Sequence, residues 1–166
     1  MSTSPAWRWP LAVGVGARRG QDSTVVPRAV DAVLRAAGID PARVHVLATS
    51  AARASDSGMR TAAATWRWPL VSYSAERLSG VAVPSPSSTV HRAVGTSSVA
   101  EAAALLAVAE VAEQAGRVRD RPGLIVPKTV PRPAADGVTV AVAGIATYPA
   151  GELSGDVYGR MPESGW

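Results

Sequence analysis

Apolar residues in this chain fall into short unbroken runs, separated by polar turns and by stretches with helical spacing. The run 11-LAVGVG-16 reads as a buried strand ending in glycines. A polar turn, 17-ARRGQDS-23, follows it. The spacing predicts a helix over 24–37, with Pro27 in its first turn and Gly38 as its stop. Residues 43–49 read as a second strand, 56–66 as a helix and 70–74 as a third strand. A short helical turn over 74–79 comes next. The stretch 83-VPSPSSTV-90 has two prolines within three residues, so 80–94 is expected to be a loop of functional length. A long apolar helix over 99–115 ends at Gly116. Strands at 123–128 and 138–146, joined by the turn-rich 129–137, complete the pattern.

Strands that alternate with helices predict an α/β domain, a three-layer sandwich on a mostly parallel, mixed five-stranded sheet. The last two strands, joined by a short connection, are expected to pair antiparallel. Residues 1–10 read as a disordered lead-in, 11–146 as the domain, and 147–166 as a polar, Gly-rich tail of uncertain order. The pentapeptide WRWPL occurs at 7–11 and again at 66–70, but the flanking residues do not match, and the repeat reads as coincidence.

Composition narrows the chemistry. The chain has 166 residues and no cysteine, which removes disulfides, thiolate nucleophiles and the commonest zinc sites. His45 and His91 are isolated, so a metal centre is not expected, nor any resident cofactor. No run approaches the ~18 apolar residues of a membrane span, and no secretory pattern opens the chain. A cytoplasmic protein without membrane contact is expected. The net charge of +4 rests almost wholly on arginine, with Lys128 the single lysine. The arginines are scattered rather than set in a stripe with aromatics, which argues against nucleic acid. An acidic ligand is the functional reading of the charge.

Four places suit such a ligand. The first is 14-GVGARRG-20, where Gly14 and Gly16 let backbone approach a ligand beside Arg18 and Arg19. Its spacing is wrong for a dinucleotide fingerprint, and the second strand ends in Thr49 and Ser50 without the acid a ribose needs. The second is the loop after that strand, where Arg53 and Asp56 form either a surface ion pair or a carboxylate grip, with Asp56 orienting Arg53 or capping the next helix. The third opens the long helix. Ser98 and Glu101 match a capping box, while Gly95, Thr96 and Ser97 add hydroxyls and amides where the helix dipole is positive. The fourth is Lys128, at the carboxyl end of a strand, where open sheets bind ligands.

The block 94-VGTSSVAEAAALLA-107 resembles the domain shared by the CobE and CbiG C-terminal family of cobalamin biosynthesis. Supporting segments stand in the same order: 13-VGVGARRG-20, the LATSAARASDSGM loop, 86-PSSTV-90 and 128-KTVPRPAADGVTVAVA-143. The chain departs from the family at Ala17, where members often carry cysteine. Arg53 and Asp56 stand where lysine and glutamate are expected. The resemblance implies a single-domain CobE-like protein that binds or delivers a precorrin or corrinoid intermediate, with other enzymes of the pathway as partners. The macrocycle's acetate and propionate arms would meet Arg18, Arg53, Lys128 and the helix opening, with Ser87 and Ser88 covering the ring. Trp66, Trp68 and Tyr73 would stack on the ring or pack in the core. A lactone hydrolase of the cobalt-precorrin-5A type, with Glu101 or Asp56 assisting water, is the alternative. A generic phosphate or nucleotide domain is the third reading.

Overall fold

The computed structural model describes residues 10–81, 96–116, 121–131 and 137–146, with backbone alone for 96–98 and 146. The strands are β1 (Leu11–Ala17), β2 (Val44–Ser50), β3 (Leu70–Tyr73), β4 (Arg121–Thr129) and β5 (Val138–Ala146). The helices among the described residues are α1 (Val25–Ala37), α2 (Ser57–Trp66), α3 (Ala75–Ser79) and α4 (Thr96–Gln114). Residues 1–9, the Ser87–Ser88 loop, Gly95 and the tail 147–166 lie outside the described residues.

The strands form one mixed sheet in the order β3-β2-β1-β5-β4. β1 pairs parallel with β2, and β2 parallel with β3. β5 runs antiparallel to both β1 and β4, so β4 points the same way as β1. The expected antiparallel pairing of the last two strands is present, and β5 also inserts between β1 and β4.

Strand alternation sorts the side chains to two faces. Leu11, Val13, Val15 and Ala17 of β1 join Val138, Val140 and Val142 of β5 on one face. α1 covers it with Val26, Ala29, Val30, Val33 and Leu34, a three-and-four spacing that makes one apolar stripe. α2 adds Met59 and Ala62 to the same core. On the other face Ala12, Val46, Ala48, Ala143 and Ile145 meet α4. Here the strands present small side chains and the helix answers with Ala102, Ala103, Ala104, Ala107 and Val108. Small against small lets backbones approach. A Cβ built on Gly14 would lie 2.0 Å from the Ala100 carbonyl oxygen and 2.7 Å from the Ala104 amide nitrogen. No helix among the described residues is long and apolar enough to cross a membrane.

α4 is tied to the β3 side of the molecule by a polar cluster. Tyr73 Oη donates to Glu110 Oε1 at 2.8 Å, and Arg77 of α3 reaches Glu110 Oε2 at 3.3 Å. The Arg77 guanidinium also lies 5.0 Å from the Tyr73 ring centre. Burial, and then the hydrogen bond to Glu110, push the Tyr73 phenol above its ordinary value of 10.0. The folded state therefore keeps this proton at a pH where the unfolded chain releases it. The corresponding stability is present below about pH 10 and is lost as pH rises beyond it. Urea midpoints measured from about pH 9 to 11 should fall more steeply in the wild type than in Tyr73→Phe. Equal slopes would show that the phenol does not titrate differently on folding.

Candidate functional site

Because β1, β2, β3 and β4 share one direction, their carboxyl ends open on the same edge of the sheet. Arg18 and Arg19, Arg53, Lys128 and the described start of α4 lie at or beside that edge. They form two groups, one against α1 and α2 and one against α4.

The first group starts where β1 ends. Gly16 is buried and faces Thr139 of β5 in the register, while Arg18 and Arg19 are exposed. The Arg18 amide donates to the Gly137 carbonyl at 3.4 Å. Its guanidinium and the Gln21 amide close over Gly137, which has φ +88 and where a Cβ would lie 2.7 Å from Arg18 Nη2 and 2.8 Å from Gln21 Nε2. Arg18 is thus held beside the start of β5, between the two groups. At the end of β2, Thr49 Oγ1 donates to the Val15 carbonyl at 2.7 Å, locking β2 to β1 where both stop. A 3-10 turn over Ala51–Arg53 then carries Arg53 inward. Its side chain is 17% exposed and contacts Asp56 at 3.5 Å. Asp56 occupies the N-cap position of α2, yet its carboxylate makes no capping bond. Its carboxylate contacts Arg53 instead, so of the two roles open to Asp56 capping is the one the contacts do not support. A cavity of about 120 Å³ lies between these parts, lined among others by Arg18, Gln21, Asp56 and Gly58.

The second group belongs to α4. This helix starts at Thr96, three residues ahead of the expected 99, so Ser98 lies inside its first turn rather than at the N-cap. The capping-box expectation for Glu101 is overturned accordingly. Glu101 is fully buried, and its Oε2 accepts from the backbone N–H of Lys128 at 2.9 Å. The reason lies in β4. Its register steps from Val126↔Val142 to Thr129↔Val140, three residues against two, so a bulge falls at Pro127–Lys128. Bulges re-aim side chains and take an amide out of the ladder. Glu101 takes up the amide so released. Its other oxygen, Oε1, has no hydrogen-bond partner among the described residues.

Several expectations take a different physical form. The space left by Gly14 is filled by α4 backbone, so the close approach there is protein to protein. Trp66 and Trp68 precede β3 and so stand at the opposite edge, stacked on each other with ring centres 4.7 Å apart. With His45 and Arg67 they line an open cavity of about 450 Å³ away from the rim. Tyr73 packs in the core under α4. Gln21, Thr139 and Gly137 at the rim were not singled out from the sequence. Thr139 carried a signal: it is the one polar residue in the α4-facing series Thr139, Ala141, Ala143.

Comparison with known proteins gives this geometry a family. Residues 11–143 match the family model for the cobalamin synthesis G C-terminus. A curated cobalt-precorrin-5A hydrolase from Priestia megaterium is 28% identical over 96 residues, which is 58% of this chain and 26% of that protein. The chain therefore spans about a quarter of the length of that relative. The crystal structure of CobE, from the cobalamin (vitamin B12) biosynthetic pathway, superposes with a TM-score of 0.68 at 25% identity, covering 87% of this chain and 95% of CobE. A cobalamin biosynthesis protein from Agrobacterium tumefaciens gives a TM-score of 0.55 at 32% identity, over 81% of this chain and 97% of its own. With four-fifths of its length under one family model and these two structures over nearly their full lengths, the chain belongs to the cobalamin synthesis G C-terminal family, a family of cobalamin biosynthesis.

Proposed function

We propose that this protein binds and hands on a polycarboxylate ring intermediate of cobalamin biosynthesis, a precorrin or a cobalt-containing corrinoid, at the carboxyl-end rim of its sheet. The observation that carries the reading is the gathering of Arg18, Arg53, Lys128 and the opening of α4 along one edge. Arginine forks and helix-end amides suit carboxylate arms, and each charge-assisted hydrogen bond contributes roughly 1.5–3 kcal/mol. Spacing supports a wide ligand. β2 and β4 are three strand intervals apart, about 14 Å, which suits a macrocycle with arms on several sides. Membership in a cobalamin-biosynthesis family supports a corrinoid as the ligand class.

A second reading, hydrolysis of a ring lactone, is favoured by the resemblance to the Priestia megaterium hydrolase. In it, buried Glu101 or half-buried Asp56 would assist water. One experiment separates the readings. The purified protein is mixed with cobalt-precorrin-5A and, separately, with nucleotides, then desalted. Visible absorbance that co-elutes with the protein, without release of acetaldehyde, is the expected result. Released acetaldehyde would establish the hydrolase, and retention of nucleotide alone would remove the corrinoid reading.

A further inference from the structure

Glu101 has one oxygen more than its structural duty requires. Oε2 satisfies the Lys128 amide, while Oε1 is buried with no partner among the described residues, on a residue that is 0% exposed. Its neighbours Ala100, Ala102, Ala103 and Ala104 are equally buried, so packing alone would be met by another alanine. A buried acceptor without a donor is destabilising, and the low local dielectric raises that penalty. Natural structures keep few such groups, and those they keep call for a partner. The position singles out the partner. Glu101 lies in the second turn of α4, on the carboxylate that fixes the β4 bulge bearing Lys128. Oε1 belongs to the same carboxylate that holds the Lys128 amide, so a ligand gripped at Lys128 would lie beside Glu101.

We infer that Glu101 Oε1 receives an O–H or N–H donor from the ligand, so that the rim reads a donor-bearing arm as well as carboxylates. This rests on the corrinoid reading above. A site built from Arg18, Arg53 and Lys128 alone would accept any polyanion. A carboxylate beside them repels an ionised arm and accepts a hydroxyl or amide, so it discriminates among arms of similar shape. Glu101 is then a specificity-determining residue, and its tie to Lys128 sets the two preferences at a fixed separation.

Three forms of one ring test this: dicyanocobyrinic acid, with carboxylate arms; dicyanocobinamide, with primary amide arms; and dicyanocobyrinic acid heptamethyl ester, whose arms have no donor. Wild-type protein is expected to retain the acid, and to prefer the amide over the ester by about 10-fold or more. In Glu101→Gln the side-chain carbonyl still accepts from the Lys128 amide, so the unfolding midpoint should hold. The free position becomes an NH₂ donor, and the preference for amide over ester should collapse. Equal affinity of wild type for amide and ester overturns the inference while leaving the corrinoid reading intact, and needs no variant to fold. An unchanged preference in a folded Glu101→Gln protein does the same. Failure of the wild type to retain even the acid overturns the corrinoid reading, and the inference with it.

Discussion

Gly14→Ala is expected to destabilise the protein by about 3 kcal/mol or more. Gly14 stands at the centre of β1, between Ala48 of β2 and Ala141 of β5 in the register. Its added Cβ would fall 2.0 Å from Ala100 O, 2.7 Å from Ala104 N and 3.0 Å from Ala100 C. Every one of these atoms is backbone, so no side chain can rotate away. Relief requires α4 to move off the sheet as a unit, opening contacts along Ala103, Ala107 and Val108. Alanine's better strand propensity offsets only about 0.5–1 kcal/mol. A loss of about 3 kcal/mol corresponds to a fall in melting temperature of about 6–12 °C for a chain of this size. Gly80→Ala is the matched control. Its Cβ would meet Arg77 O at 3.6 Å and Glu76 O at 3.8 Å, ordinary contact distances, so its effect should stay within about 0.5 kcal/mol. Urea unfolding of both variants decides the matter. A Gly14→Ala protein as stable as Gly80→Ala would mean that α4 does not pack against β1 as described.

The same two-residue period made much of the fold legible beforehand. In β1, Leu11, Val13 and Val15 alternate with Ala12, Gly14 and Gly16, so a large-residue face and a small-residue face are written into the string. α1 announced itself through its three-and-four spacing and the glycine at 38, which adopts φ +69 as a helix stop requires. What the string could not carry was partner choice. β5 inserts between β1 and β4 because Val138, Val140 and Val142 complete the core over α1, a long-range match that leaves no local trace. Glu101 shows the limit most clearly. Ser98 and Glu101 have the spacing of a local cap, and the carboxylate bonds instead to an amide 27 positions further along, released by a bulge. The bulge follows from register, and register is a property of two strands. Lys128 was legible as the chain's single lysine at a strand end, whereas the device that aims it was not. Gly14 was legible as a point of close approach, but the approaching atoms belong to α4.

Removing both Arg53 and Lys128 should weaken retention of a corrin polycarboxylate by about 100-fold, each contributing about 10-fold. Arg53 is suited to the task because it is already placed. Its side chain is mostly buried, so little rotamer freedom remains to be lost on binding. Its contact with Asp56 is long at 3.5 Å and involves a single nitrogen, Nη1, which leaves the rest of the fork to form the shorter, two-pronged contact that a ligand carboxylate offers. Asp56 competes for the same charge. Asp56→Asn should therefore tighten retention by a few-fold, opposite in sign to Arg53→Ala. Were Asp56 chiefly an orienter, the amide would loosen Arg53 and retention would fall, so the sign distinguishes the two roles. Lys128 stands three strand intervals away, about 14 Å. Effects at that separation combine independently, so the double variant should show the product of the single losses. A double variant no weaker than Arg53→Ala would place the whole ligand over β1 and β2, beside the cavity lined by Arg18 and Asp56. One no weaker than Lys128→Ala would place it over β4, against α4. A ligand that bridges the rim makes the two losses multiply, because each arm then reports a separate grip on one rigid ring.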